Sequence, residues 1–582
     1  MEEAKIIERL HSALNDFEQP VYITDGFYFN QYETLNQITL YSFSKFKTGD
    51  TDSQGNHKFF FNVVNPICRN ATKQIDIDTK DIRIVDTNGN NRIKSLIYDT
   101  YLKDWMKLQG TGLLLNRLSD NLPRYGSVVW KFENGEIKQI KLENLIFDPA
   151  VNSIENVFDI RSSYVIEKKY LQTFELEKMI DAGWDAEAIN DVLDEFRKRR
   201  ENGKIGGEIL IYEMHIELPN SYFIEGAKGY SYYRIFIAGN DAKKDFSLSK
   251  ERILFYNKEN KMPYKKVDYV TIDGRALGLG EVESQFDTQI RMNVMKNEKA
   301  SSMLLGSKTI FTTADDTIER NIIQQTLNGD IMKVKSGLVP VVTDTRNLSA
   351  YAQEESSWMA QSRQISNNFE SITGEQMATN TPWKSYNKMN QEGAKFFSGV
   401  KENMALFIRE CFKEWLIPKF EKYIKANSGQ LFEIIDPNLI TIIQNKLIED
   451  KIGDYLSDTV FNTGFFSSTQ DIDNMRNSLK AKQGRSVTVK IEEDLANFDK
   501  DIDIDITGEA IRDNLDNKML LVQMLSQNAQ ALQDPVVKRL VDSAMEDMGL
   551  SLNIFNPYAT TPQQQNGGNV ASQQVNLKEL TK

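Results

Sequence analysis

The chain has 582 residues and a mass of 66.8 kDa, which is long enough for several packed layers or roughly three to four domains of ordinary size. Lys and Arg number 70 against 83 Asp and Glu, giving a net charge of −13. This balance argues against a protein that wraps nucleic acid with its whole surface, although local basic patches are compatible with it. Hydrophobic residues make up 40% of the chain, so each folded part can bury a core.

The cysteine content and the hydropathy of the sequence indicate the cellular compartment in which the protein is used. The two cysteines, Cys68 and Cys411, are too few for a disulfide framework and poorly spaced for a cysteine-based metal site. No run of about 18 uncharged apolar residues occurs, and the N-terminus lacks an apolar signal segment. The sequence therefore predicts neither export nor membrane insertion. It predicts a protein that is made and used in a reducing cytosol.

The first half of the chain alternates between helical and strand periodicity. Apolar residues at helical spacing predict an amphipathic helix that ends near Glu18. A further helix is expected over about 92–109, and Asn134-Gly135 supplies the positive φ angles of a type I′ hairpin turn. Asp185 has the character of a helix N-cap. Alternation over 208–272 predicts a sheet domain.

From about residue 278 the period becomes helical. The apolar residues of this long helix recur at strict i+4 spacing with charges between them, namely Val282, Phe286, Ile290 and Val294. A second long helix begins near Ala350, and the segment 306–345 between the two contains two short apolar runs. Two long, thinly striped helices are therefore expected to flank a small α/β insert.

The polar segment Glu375–Asn390, broken by Pro382, is predicted to be a loop before a third long helix. Cys411 falls in the apolar stripe of that helix, which favours a buried structural thiol over a nucleophile. Two later alternating runs, 487–491 and 502–506, predict a half-buried strand pair.

Two strings resemble phosphate-binding motifs without satisfying them. Gly306-Ser307-Lys308-Thr309 lacks the upstream glycine of a phosphate-cradling loop. Gly278-Leu279-Gly280 is followed by Glu281 and Glu283, and carboxylates there would repel a pyrophosphate. We therefore interpret the second string as a turn that leads into a helix.

Metal and acid–base motifs are equally incomplete, so the sequence predicts no cofactor, no metal site and no catalytic residue. Asp501, Asp503 and Asp505 have calcium-loop spacing, but Ile506 stands where the loop requires glycine. The three histidines form no recognisable zinc pair. Scattered carboxylates leave one alternative open, a metal-dependent nuclease or another enzyme whose carboxylate site is not located by sequence.

Several strings, together with the order of the elements, carry a family resemblance. They are Tyr125-Gly126-Ser127-Val128-Val129, Leu145-Ile146-Phe147-Asp148-Pro149, and Gly278-Leu279-Gly280 before a helix that contains Gln289 and Asn293. Over most of its length the chain resembles the portal proteins of tailed double-stranded DNA bacteriophages.

The resemblance implies an α+β, portal-like subunit with a mixed α/β wing and two long stem helices flanking a small α/β clip. Its implied segments are an N-terminal wing (1–275), a first stem helix (276–303), a clip (304–347), a second stem helix (348–373), a tunnel loop (374–392), a long wing helix and C-terminal wing (393–509), a helical crown (510–556) and a disordered tail (557–582).

The resemblance further implies a structural, non-enzymatic protein. Portal subunits form a closed ring, usually a homododecamer, at one capsid vertex, and double-stranded DNA is packaged and ejected through the channel. The implied partners are further copies of the chain, DNA without sequence specificity, the terminase packaging motor, a neck or adaptor protein and the major capsid protein, but no membrane. The implied location is the virion, with host cytoplasm during assembly. Thin apolar stripes on the stem helices would then be buried against neighbouring subunits.

Within the implied tunnel loop, four residues are candidates for contact with the DNA backbone: Asn380, Lys384, Asn387 and Lys388. Cations on a loop can steer a duplex without reading its bases. The alternative interpretation is that these lysines are ordinary solvated loop residues.

Overall fold

The fold mixes α-helices and β-strands. The structure, a computed structural model, describes residues 2–51, 55, 57–86, 92–148, 164–201, 208–240, 248, 251–259, 261–307, 310–312, 339–341, 347–367, 383–426, 431–434, 448, 452, 455, 469–481, 487–490 and 500–504. The predicted crown (510–556) and tail (557–582) lie outside these residues. Backbone contacts divide the chain into two units, 1–429 with 491–506 and 430–490 with 507–582, so the implied segment 393–509 contributes to both.

The helices, in chain order, are α1 (Glu3–Glu18), α2 (Gln31–Ser42), α3 (Val64–Ile75), α4 (Arg92–Leu108), α5 (Thr111–Tyr125), α6 (Thr173–Asp181), α7 (Ala186–Glu201), α8 (Glu281–Ser284), α9 (Phe286–Ser307), α10 (Asn347–Ile365), α11 (Trp383–Cys411), α12 (Ile417–Ala426) and α13 (Thr469–Ala481). A π-helical turn, Phe412–Leu416, joins α11 to α12.

The strands are β1 (Val21–Thr24), β2 (Phe27–Phe29), β3 (Ile82–Asp86), β4 (Ser127–Glu133), β5 (Glu136–Ile140), β6 (Leu145–Phe147), β7 (Tyr164–Leu171), β8 (Ile209–Pro219), β9 (Tyr230–Ala238), β10 (Arg252–Glu259), β11 (Tyr264–Asp268), β12 (Ile310–Thr312), β13 (Val339–Val341), β14 (Leu431–Ile434), β15 (Val487–Lys490) and β16 (Lys500–Ile504). An antiparallel five-stranded sheet has the order β10-β9-β8-β7-β6, and a three-stranded sheet has the order β11-β4-β5.

Local sequence signals fix several of these elements. The β4–β5 hairpin turns at Asn134 and Gly135, with φ values of 54° and 80°, which are the positive angles that a type I′ turn requires. The Asp185 carboxylate accepts hydrogen bonds from the backbone N–H groups of Glu187 and Ala188, so it caps α7 as predicted. The first helix ends at Glu18, also as predicted.

The main core lies on the apolar face of the five-stranded sheet. Buried residues of α1 and α7, such as Leu10 and Phe196, join buried residues of the sheet strands, such as Leu210 and Ile235, in one cluster. The other face of this sheet carries charged residues, and they become important below.

The two long helices are confirmed, and two short strands lie between them in the chain. Residues 308–309, 313–338 and 342–346 of the predicted clip lie outside the described residues. α9 and α10 pack against each other, and β12 pairs with β13 in antiparallel register between them in the chain. Helix α10 ends at Ile365, earlier than the predicted end at 373, and residues 276–280 precede the helical region. Together, α9 and α10 are called the long helix pair below.

The predicted loop over 374–392 requires a correction. Residues 383–392 are helical, because α11 already begins at Trp383. A proline restricts the residue that precedes it and cannot donate a hydrogen bond within a helix, but it does not prevent a helix from starting immediately after it. Pro382 therefore marks the start of α11 and does not keep the following ten residues in a loop.

The predicted pairing of the two late strands is also corrected. β15 pairs with β14 over Leu431–Ile434, whereas β16 pairs with β3 over Ile82–Asp86. Both runs alternate as expected of half-buried strands, but alternation gives no information on the partner.

Finally, in the described part of the chain no helix combines the length and the apolar character needed to cross a bilayer.

Candidate subunit-assembly site

A close contact between backbones fixes where the long helix pair begins. Gly126, at the end of α5, has φ 77°, and a Cβ there would lie 2.3 Å from the carbonyl oxygen of Gly278. A Cβ on Gly280 would lie 2.5 Å from the backbone nitrogen of Gly126. Only glycine allows this approach. The Gly278-Leu279-Gly280 string is therefore a packed turn leading into a helix, as the sequence predicted.

Helix α9 presents a line of amide side chains to the non-helical segment 59–63. Gln289 accepts a hydrogen bond from the Val63 N–H at 2.8 Å and donates one to the Phe61 carbonyl at 2.6 Å. Asn293 accepts from the Phe61 N–H at 2.8 Å. Asn297 both accepts from the N–H of Phe59 and donates to its carbonyl, each at 2.9 Å.

The spacing of this amide ladder has a simple geometrical cause. Four residues of an α-helix rise about 6 Å, and two residues of an extended chain rise about 6.6 Å. Amides at i, i+4 and i+8 can therefore reach the backbone of every second residue, here 59, 61 and 63. The ladder satisfies polar backbone groups that no neighbouring strand pairs with in the described structure.

The second helix of the pair is held by polar contacts in an antiparallel arrangement. At one end, Gln285 accepts a hydrogen bond from the Ser362 hydroxyl at 2.8 Å and donates one to the Ser362 carbonyl at 3.1 Å. Further along α9, Arg291 forms an ion pair with Glu354 at 3.0 Å. Lys299 lies 3.4 Å from Glu355, and Lys296 also pairs with that carboxylate.

The inward face of α9 carries the amides together with the buried Met292 and Met295, and the later residues of the apolar stripe face outward. Gln289 is fully buried, whereas Ile290 and Val294 are 44% and 41% exposed. Both apolar residues border an open groove of about 1150 Å³ that we call the α9 groove. Its other lining residues used below are Tyr41, Phe46, Lys47, Lys58, Phe59 and Glu298. The stripe expected from the sequence is thus covered in its first half, where Val282 is fully buried and Phe286 packs against the same core cluster. Its second half, Ile290 and Val294, is not covered within the described part of the chain.

The amide stripe is visible in the sequence beside the apolar one. Gln285, Gln289, Asn293 and Asn297 recur at the same i+4 spacing as the apolar stripe, displaced by one residue. An apolar stripe is ordinarily the buried one. A parallel stripe of amides is the signal that could have identified the opposite arrangement.

The predicted DNA-contacting residues fall at the start of α11. Lys384, Asn387 and Lys388 belong to its first two turns, and Asn380 lies outside the described residues. The lysines are four residues apart and so share one face of the helix. The structure thus assigns three of the four candidates to a helix instead of a loop.

A second polar constellation lies between the two sheets, on the charged face of the five-stranded sheet. The Lys131 ammonium is 2.6 Å from Glu167 and 2.5 Å from Glu213, and only 1% of its side chain is exposed. Glu213 also pairs with Lys169 at 2.6 Å and with Arg234 at 2.6 Å. The remaining members are Glu133, His215, Glu259 and Tyr264. This set is called the buried charge network.

The buried charge network lowers the pKa of two of its carboxylates, Glu133 and Glu213. Burial alone would raise the pKa of Glu213, but the hydrogen bond with His215 and the charge of Lys131 hold that pKa well below its usual value. For Glu133, burial is outweighed by Lys131 and Lys169, which bring the pKa to about 2. Carboxylates in this state stabilise the packing of the two sheets and are poor proton donors at neutral pH.

One buried carboxylate has the opposite character. Burial raises the pKa of Glu281 to about 7, although a hydrogen bond from the Tyr269 hydroxyl at 2.7 Å lowers it in part. Cys68, which is also buried, has its thiol pKa raised by burial to about 12. Cys411 is fully buried as well, as predicted.

Neither chemistry nor similarity identifies an active site. Among the residues that the structure describes, no group of three or more His, Cys, Asp or Glu side chains is arranged to hold a metal ion. Comparison with protein-family models gave no match, and neither did comparison with curated protein sequences. The α9 groove and the exposed stripe beside it therefore form the candidate functional surface.

Proposed function

We propose that the chain is the ring-forming portal subunit of a tailed double-stranded DNA phage. One observation carries the proposal: an antiparallel pair of long helices, with two paired strands between them in the chain, exposes Ile290 and Val294, which the described part of the chain does not cover. Ile290 and Val294 would become buried in a ring whose neighbouring subunits pack on this face. Burial of apolar surface is the main driving force for such association.

The electrostatics of the chain suit a DNA channel. A net charge of −13 disfavours tight wrapping of a duplex that must slide, and a few cations can guide it without base readout. Lys384 and Lys388 are proposed as these cations. Their place in the first turns of α11 adds the positive end of the helix dipole to their own charge.

The remaining partners follow from the same proposal. The insert that contains β12 and β13 would dock the packaging motor and later the neck adaptor, because it lies at the far end of the long helix pair. The wing would face the capsid protein. The ring would occupy the capsid vertex and carry out no chemical reaction of its own.

Native mass measurement tests the proposal directly. Twelve chains of 66.8 kDa give a particle of about 0.8 MDa, and ring averages by electron microscopy should show a central channel. A chain that remains monomeric or dimeric over all accessible concentrations would contradict the proposal and favour the enzyme alternative.

A further inference from the structure

A small aromatic hairpin projects from the chain next to α2. Among the described strands, β1 and β2 pair only with each other, in antiparallel register that places Tyr22 opposite Tyr28. Tyr22, Phe27 and Tyr28 are 57%, 52% and 62% exposed. Two strands alone are marginal in water, and three exposed rings on so short an element are a large apolar surface to leave solvated.

The hairpin is nonetheless held in a defined shape. Phe29 is buried, and the Arg275 guanidinium lies 4.3 Å from the centre of its ring. Tyr22 and Tyr28 meet edge to face with their centres 5.7 Å apart. The Tyr22 hydroxyl donates a 2.8 Å hydrogen bond to Asp25. A preorganised aromatic projection loses little entropy when it binds.

The α9 groove has the complementary properties. Tyr41, Phe46 and Phe59 supply aromatic walls, Ile290 and Val294 supply an aliphatic floor, and no residue that the structure describes fills the groove. Among its charged lining residues, Lys47 and Lys58 outnumber Glu298. The only charged residue of the hairpin is Asp25. The hairpin is thus a projecting aromatic element with one negative charge, and the groove is an apolar depression with an excess of positive charge. The two surfaces are therefore complementary.

The hairpin and the groove lie at opposite ends of the same helix. The hairpin ends one residue before the α2 N-cap, Asn30, whereas Tyr41 in the last turn of α2 borders the groove. Twelve helical residues separate the ends by about 18 Å. Two different, complementary surfaces on one chain produce a head-to-tail contact, which closes into a ring when the rotation permits.

We propose that the aromatic hairpin of one subunit inserts into the α9 groove of the next copy of this chain and forms the repeating ring contact. This inference rests on the proposed ring function and names the two surfaces that meet. It requires no other protein, because both halves of the contact are present on every copy.

Mixing two defective variants tests the proposal. The hairpin variant is Tyr22→Ser with Tyr28→Ser, and the groove variant is Ile290→Glu with Val294→Glu. Each alone should lose the ring and remain monomeric, and an equimolar mixture should form a two-chain species, because one intact hairpin meets one intact groove. The control, Phe174→Ser with Tyr230→Ser, removes equally exposed rings elsewhere and should retain full rings.

Disulfide trapping supplies an independent readout. Tyr28→Cys combined with Val294→Cys should give a ladder of covalently linked chains on oxidation, and Tyr230→Cys combined with Val294→Cys should not. The native thiols are both buried and so do not compete. Rings that persist in the hairpin or groove variant, or a mixture that yields no two-chain species, would overturn this contact while leaving the ring intact. A wild-type chain that forms no ring would overturn the proposed function itself.

Discussion

Lys131 shows how a single buried charge can control the packing of two sheets. Its ammonium lies within ion-pair distance of Glu167 and Glu213 in a site that excludes water. Glu213 keeps Lys169 and Arg234 as further partners, whereas Glu167 has only the Tyr264 hydroxyl, at 2.9 Å, as its other hydrogen-bond donor in the network. Removing one partner of a buried pair is costly because the other charge remains buried.

Lys131→Met should therefore lower the free energy of unfolding by about 3–5 kcal/mol. Lys138→Met is a matched control, because Lys138 lies directly opposite Lys131 in the β4–β5 register but is 48% exposed in its side chain. The control substitution should lower the free energy of unfolding by at most about 1 kcal/mol. Urea unfolding curves of the two variants would measure the difference, and equal losses would show that the network contributes little.

Glu281 predicts a pH dependence of stability. Its pKa is raised to about 7 in the folded chain from about 4.3 in an unfolded one, so the folded state binds the proton more tightly. Stability is greatest below the unfolded value and falls as the pH rises towards 7. The loss is complete above pH 7 and amounts to about 4 kcal/mol, since each unit of pKa difference is worth about 1.4 kcal/mol.

Glu281→Gln should remove this dependence, because the amide keeps an acceptor for the Tyr269 hydroxyl without ionising. The variant should be more stable than the wild type at pH 8 and similar to it at pH 4.5. Thermal unfolding across this range measures the effect. Glu298→Gln, on the exposed side of α9, should show the same pH dependence of stability as the wild type. If Glu281→Gln also shows the wild-type dependence, Glu281 is not the group responsible for it.

At the scale of elements, the orientation of α9 is decided by hydrogen bonding. Segment 59–63 brings backbone N–H and C=O groups against the helix. Leaving these buried polar groups without hydrogen-bond partners would cost more free energy than leaving two apolar side chains exposed to solvent. Gln289 and Asn293 supply the partners. The helix therefore turns its amides inward and leaves Ile290 and Val294 available for another surface.

This orientation reverses the usual expectation for polar and apolar substitutions. Gln289→Leu should lower the free energy of unfolding by about 1–3 kcal/mol, because it leaves the Val63 N–H and the Phe61 carbonyl unpaired. Val294→Gln should change it by no more than about 0.5 kcal/mol, since the site is 41% exposed. Chemical denaturation with hydrogen exchange at residues 61 and 63 measures both. A stable Gln289→Leu variant would mean that the ladder is incidental.

At the scale of the whole molecule, the proposed function requires an acidic particle that still touches DNA at a few points. Phosphate contacts by lysine are weak individually and depend on salt, because each contact releases counterions. Twelve copies would place Lys384 and Lys388 in repeated rings, so that small contributions add around the channel.

Lys384→Glu combined with Lys388→Glu should preserve ring assembly but weaken duplex binding, with the largest loss at low ionic strength. Filter binding of DNA over a salt series measures the loss. Lys422→Glu with Lys425→Glu makes the same change in net charge at exposed positions of α12 and should have little effect. Equal binding by both double variants would remove α11 from the proposed DNA path.

The sequence by itself determined those features that depend on neighbouring residues. The Asn134-Gly135 turn, the Asp185 cap, the end of α1 and the buried position of Cys411 followed from local conformational preference and periodicity. The two long helices and the strands between them followed in the same way. These signals depend on a few neighbouring residues, so the local structure that they favour forms independently of the tertiary contacts made by the rest of the chain.

Only the tertiary structure decided which partners those elements take. The pairing of β16 with β3 joins residues far apart in sequence, and alternation is the same for any partner. The inward face of α9 was set by the unpaired backbone of segment 59–63, which its own periodicity does not reveal. The buried charge network likewise exists only where β4 and β11 pack on β7 and β8, because charges that are compensated in three dimensions are indistinguishable in sequence from solvated ones.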